Sequence, residues 1–113
     1  MTQPNDALPT IGVSDASARL EPADADGPML VDVREDHEFQ VVRANGAVPM
    51  PMSEFPARHD ELPKDRPIFV ICASGQRSAA AAAFLLRNGW TDVTNVDGGT
   101  TAWERAGLPV NRG

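Results

Sequence analysis

The sequence predicts an α/β fold in which a parallel sheet is covered by helices on both faces. Short apolar runs at Met29-Leu30-Val31-Asp32-Val33, Pro67-Ile68-Phe69-Val70-Ile71 and Val93 to Val96 read as strands, and helical segments separate them. Within the runs, apolar residues do not alternate cleanly with polar ones, as expected for strands buried on both faces. Nothing repeats internally.

Residues 1–8 are polar, contain Pro4 and read as a flexible tail, with the domain spanning 9–113. Thr10 to Val13 is expected as a short strand, followed by a helix capped by Ser14 and running to Leu20, then a loop from Pro22 to Pro28. Met29 to Val33 is the next strand, Glu35 to Val42 a short helix, Ala47-Val48 a short strand, and Ser53 to Arg58 a helical turn behind a capping serine. Pro49, Pro51 and Pro56 keep these pieces short. Pro67 to Ile71 is the clearest strand, and it delivers the chain directly to Cys72. Ala79, Ala82, Ala83 and Leu86 fall at i, i+3, i+4 and i+7, which predicts an amphipathic helix over about Arg77 to Arg87. Val93 to Val96 is a further strand, and Thr100 to Arg105 a helix between Gly98-Gly99 and Gly107. Phe39, Phe55, Phe69, Phe84, Trp90 and Trp103 are expected in the core.

With 113 residues the chain has the size of one domain, and a 42% hydrophobic content is that of a folded globule. Sixteen acidic residues against ten basic ones give a net charge of −6, which repels a phosphate backbone or an anionic lipid surface. Nucleic acid and membrane are thereby excluded as expected partners, and an anionic ligand must be captured by local donors. No run approaches the roughly 20 apolar residues that span a bilayer, and Met1 to Leu8 lacks the features of a signal peptide. A cytoplasmic location is expected. A single cysteine makes no internal disulfide, and with two histidines it makes no four-ligand zinc set, so no metal is expected. His37 and His59 sit among charges and are read as exposed. The thiol is either buried filler or chemistry.

The segment Cys72-Ala73-Ser74-Gly75-Gln76-Arg77-Ser78 lies between a buried strand and a helix, where α/β proteins place their ligand sites. Small residues let the loop curl so that its N–H groups point inward, and the following helix adds unpaired donors. Such a cradle favours a thiolate at Cys72. Gly75 permits a tight or left-handed turn, and Arg77 can brace loop carbonyls or hold an anion with its fork of donors. Gln76 and Ser78 are weaker candidates for contact.

At these residues the sequence resembles the rhodanese family, over nearly the whole stretch from Ile11 to Pro109. Leu30-Val31-Asp32-Val33-Arg34-Glu35 is similar to the family's first signature, and Gly46-Ala47 with Pro49 to the end of its second. Ile71 to Ser78 is similar to the active-site loop, and Gly98-Gly99, Trp103, Gly107 and Pro109 to the terminal motif. The resemblance implies a rhodanese-like open parallel sheet of about five strands with helices on both faces. It also implies a sulfurtransferase of the thiosulfate type. Cys72 takes the outer sulfur of a donor such as thiosulfate as a persulfide and passes it to cyanide or a thiol, with no cofactor. Residues 73–78 then form the substrate cradle, with Arg77 at the position that closes it. A sulfur-accepting protein is a further partner it allows.

Asp32 and Arg34 are supporting candidates: Asp32 either steadies loops beside the site or caps a helix. Arg43 stands where many relatives carry histidine, and Asn45 where they carry proline. Arg43 either adds positive charge near the pocket or is a solvated surface arginine. Two other functions compete with turnover. One is a persulfide carrier or sensing module for a protein partner. The other is a cysteine phosphatase or arsenate reductase, disfavoured because only four residues, Ala73 to Gln76, separate Cys72 from Arg77, one fewer than in related phosphatase loops.

Overall fold

A computed structural model describes residues 8–21 and 26–113. Most of the expected tail, and part of the loop expected from Pro22 to Pro28, lie outside the described residues. Leu8, the last residue of that tail, packs against the core.

The elements follow in the order β1 (Thr10–Ile11), α1 (Val13–Leu20), β2 (Met29–Asp32), α2 (Asp36–Val41), β3 (Val42–Ala44), β4 (Val48–Pro49), α3 (Phe55–Arg58), a 3₁₀ turn (His59–Glu61), β5 (Ile68–Ile71), α4 (Gln76–Arg87), β6 (Val93–Val96), α5 (Gly99–Arg105) and β7 (Val110–Arg112). Five strands form one parallel sheet in the order β1-β6-β5-β2-β4. Both of its edge strands, β1 and β4, are two residues long.

The central strand β5 is apolar throughout because its successive side chains enter two different cores. Ile68, Val70 and Cys72 join Val31, Val33 and Val93 in one cluster, beneath Ala81, Ala82 and Leu85 of α4 and Phe55 of α3. Phe69 and Ile71 join Leu30 and Val96 in the other, against Ala16 of α1 and Trp103 of α5. Helices therefore cover both faces, as the sequence predicts. Trp90 and Trp103 are buried and donate their ring N–H groups to the carbonyls of Pro63 and Pro109. Phe39 belongs to neither cluster and lies under the Arg43 guanidinium, 5.1 Å from its centroid.

Local differences have physical causes. Ser14 does not cap α1: Gly12 holds the cap position, and its carbonyl accepts from Ala16 N–H. Ser53 is not a cap either, since it donates its hydroxyl to Glu35 at 2.7 Å. Glu35 itself caps α2 in a reciprocal box with Glu38. Val42, expected as helix, is buried and extended, and β3 pairs antiparallel with β7 at the far end of the chain. His59 is half-buried against the edges of Phe84 and Trp90 rather than exposed.

From β2 the chain passes outward to β4 and then returns on the opposite side of β2 to form β5. The carboxyl ends of β2 and β5 therefore meet at a point of topological reversal, with Asp32 opposite Ile71. Helix α5 completes this end of the sheet. The N–H groups of Thr100 and Thr101 donate to the carbonyls of Cys72 and Ala73 at 2.8 and 3.1 Å, and the Thr100 hydroxyl also donates to Cys72. Gly99 permits that approach. Its φ is +58°, and a Cβ there would meet the Cys72 carbonyl oxygen and lie 2.6 Å from the Ala73 carbonyl. Gly99→Ala is therefore expected to destabilise the fold by at least about 2 kcal/mol, measured as a fall in the urea midpoint at unchanged slope.

Candidate active site

Cys72 follows β5 immediately and is only 1% exposed. Its sulfur accepts the Gly75 N–H at 3.0 Å and lies 3.3 Å from the Ser78 hydroxyl oxygen. The geometry depends on Gly75, which caps α4 at φ +105°, where a side chain is strained and a Cβ would sit 3.3 Å from Gly98 N. Burial is the largest single influence on the thiol and pushes its pKa up. The Ser78 hydroxyl and the backbone N–H groups of Ser78, Gly75 and Ser74 together outweigh it and hold the pKa below its ordinary value. The segment is thus a cradle for a sulfur anion, formed by a loop and the first turn of a helix.

The remaining loop residues divide by exposure. Ala73 is half-buried, Ser74 and Gln76 are exposed, and Ser78 is fully buried. Arg77 projects away from a free anion-binding pose: its two terminal nitrogens donate to the two carboxylate oxygens of Glu38 at 2.8 and 2.9 Å. That fork holds the Glu38 carboxyl down from an ordinary 4.5 to about 2 and raises the guanidinium's pKa in turn. Arg77 therefore ties the loop to α2.

Asp32 caps no helix. It is fully buried and accepts three hydrogen bonds from the Arg34 side chain, between 2.9 and 3.2 Å, plus the Arg34 backbone N–H at 2.9 Å. Arg34 also donates to the carbonyls of Val42 and Glu38. The pair thus fastens the end of β2 to the C-terminal turn of α2. Arg43 donates to the Phe39 carbonyl and stacks on that ring, which engages it with α2. Asn45 accepts from the Asn111 side chain, beside the β3–β7 pairing.

Two residues escaped the sequence reading. Glu38 is one; its spacing of three from Glu35 is the capping-box signal that could have found it. Asn95 is the other, a poor strand former on the face of β6 that points toward α4. It is 6% exposed, its Nδ2 donates to the Gly75 carbonyl at 3.1 Å, and its Oδ1 accepts from the Ser78 hydroxyl at 2.6 Å.

Comparison with known proteins agrees with this architecture. The sequence pattern of the rhodanese-like domain matches residues 13–106. A protein of Allochromatium vinosum named sulfurtransferase is 41% identical over 88 residues, covering 78% of this chain and 82% of the relative. A protein of Vibrio cholerae named thiosulfate sulfurtransferase GlpE is 35% identical over 100 residues, covering 88% and 92%. The crystal structure of a rhodanese-related protein from Thermoplasma volcanium superposes with a TM-score of 0.81 at 32% identity, covering 92% of this chain and 98% of that one.

The Glu38–Arg77 pair has a pH signature. A carboxyl lowered in the folded state contributes stability that is complete above its unfolded value and lost as pH falls through the folded one. Glu38→Gln is expected to lower the unfolding free energy by about 1 kcal/mol at pH 7, after allowance for solvent screening. The difference from the unaltered chain should shrink between pH 4.5 and about 2, followed by urea titrations across that range.

Proposed function

The chain belongs to the rhodanese-like family, and from that premise we propose that it is a sulfurtransferase working through a persulfide on Cys72. The observation that carries this reading is the cysteine sulfur held at the carboxyl end of β5 by inward-facing N–H groups, with its pKa lowered. Two relatives named sulfurtransferase, one of them for thiosulfate, support the substrate class.

In the first half-reaction the Cys72 thiolate attacks the outer sulfur of thiosulfate. A sulfur–sulfur bond forms to the protein as the donor's own bond breaks, and its electron pair leaves with sulfite. The product is a persulfide anion, whose charge falls to the same N–H donors. In the second, cyanide or a thiolate attacks the outer sulfur and Cys72 departs as thiolate, restoring the starting state. Ala73 to Ser78 line this path, and Asp32, Arg34 and Arg77 hold its walls. No helix among the described residues is long and apolar enough to cross a membrane, and a reducing compartment such as the cytoplasm suits a free thiol.

One observation favours a second reading, carriage of sulfur to a protein partner. Arg77 is engaged by Glu38, so a small dianion must approach without that guanidinium or break the pair. Stable persulfide with slow release to cyanide and glutathione distinguishes the carrier; rapid turnover with either identifies the enzyme.

The deciding measurement is intact mass before and after thiosulfate. A gain of one sulfur, about 32 Da, discharged by cyanide, is expected in the unaltered chain and is expected to vanish in Cys72→Ser. Absence of the gain with thiosulfate and other sulfane donors alike would falsify the proposal. Arg77→Ala is expected to lower kcat/KM for thiosulfate by about tenfold or more, a loss of about 1.4 kcal/mol in transition-state stabilisation. Unchanged kinetics remove Arg77 from the site.

A further inference from the structure

We propose that Asn95 is a positioning residue that competes with the Cys72 sulfur for the single proton of the Ser78 hydroxyl, and so restrains ionisation of the thiol. The argument begins with the amide's orientation. Its nitrogen must face the Gly75 carbonyl, 3.1 Å away, because a carbonyl can only accept. Oδ1 therefore faces Ser78 Oγ at 2.6 Å, and since Oδ1 can only accept, the hydroxyl is the donor.

A hydroxyl has one proton. While it lies on Asn95, Ser78 presents a lone pair to the sulfur 3.3 Å away. That lone pair accepts the S–H of a neutral thiol and opposes a thiolate. On ionisation the hydroxyl either turns to the sulfur and leaves a buried amide oxygen without its partner, or stays and faces an anion with a lone pair. Either way ionisation forfeits one hydrogen bond in a site shielded from water, where such a loss is costly.

The loop N–H groups favour the anion, as does the Ser78 hydroxyl when it turns to the sulfur, and the Ser78–Asn95 contact opposes that turn. The charged side chains around this balance are Arg77 of α4, paired with Glu38 of α2, and the Asp32–Arg34 pair at the end of β2. Asp97, after β6, shares a groove with Gly75 and Asn95. The inference rests on Cys72 as the reacting group. Its test reads the thiolate directly, so it stands or falls separately from sulfur transfer.

The rate of Cys72 alkylation by iodoacetamide is followed against pH in the unaltered chain, Asn95→Ala, Ser78→Ala and the double variant. Asn95→Ala is expected to lower the midpoint by about one pH unit, because Ser78 is then free to donate to sulfur. In the Ser78→Ala background the same substitution is expected to leave the midpoint unmoved. A midpoint that rises or stays fixed in Asn95→Ala overturns the proposal. So does an equal shift in both backgrounds, which assigns Asn95 only to bracing Gly75. Should circular dichroism show Asn95→Ala unfolded, the side-chain amide signals of Asn95 in the unaltered chain decide. They are expected to move with the alkylation midpoint and to be silent in Ser78→Ala, and silence in both excludes the competition.

Discussion

A sulfur atom almost sealed from solvent can carry negative charge only where donors replace the water it has lost, and this requirement organises the whole carboxyl end of the sheet. Turning the N–H groups of Ser74, Gly75 and Ser78 toward Cys72 forces loop carbonyls to face elsewhere. Those of Cys72 and Ala73 accept from the N–H groups of the first turn of α5, and that of Gly75 accepts from Asn95. The cradle is therefore one half of a reciprocal arrangement whose other half lies on β6 and α5, 20 to 28 residues further along the chain. Gly99 stands where these two halves come too close for any side chain, and Gly75 where the contact is tight and φ is +105°.

Two ion pairs give the site its outer frame, and they differ in kind. Asp32 and Arg34 are buried, and removing either partner leaves an uncompensated charge that typically costs about 3–5 kcal/mol. Their remaining bonds go to the Glu38 and Val42 carbonyls at the C-terminal side of α2, so this short helix, which has no buried residue, is held by backbone contacts. Glu38 and Arg77 are partly exposed and contribute less to stability. They connect α2 to the first turn of α4, joining the helix after β2 to the loop after β5 through paired side chains.

The sheet and the position of Cys72 were legible in the sequence because both rest on local signals, apolar runs and a small-residue loop before an alanine-rich helix. The buried face of that helix is Ser78, Ala81, Ala82 and Leu85, turned from the expected Ala79, Ala82, Ala83 and Leu86. What the local pattern could not carry was pairing at long range. Arg77 reads equally well as an anion clamp or a brace, and only the placement of α2 brings Glu38 to it. Val110 to Arg112 has no strand signature of its own and becomes a strand because Val42 to Ala44 lies beside it. Asn95 interrupts a good strand pattern, and such a break in local preference marks a place where packing answers to something other than burial. Ser14 and Ser53 show the reverse: each has the right chemistry for a cap, but Ser14 lies inside α1, which begins after Gly12, and the Ser53 hydroxyl donates to Glu35 instead.

The shortness of β1 and β4 bears on how the molecule behaves in company. A parallel sheet offers a row of unpaired amides and carbonyls at each border, an invitation for another chain to add on. Here each border is two residues long, and one of the two residues of β4 is Pro49, which has no amide hydrogen to offer. A sheet buried on both faces thus leaves little open ladder at either border for another chain to extend.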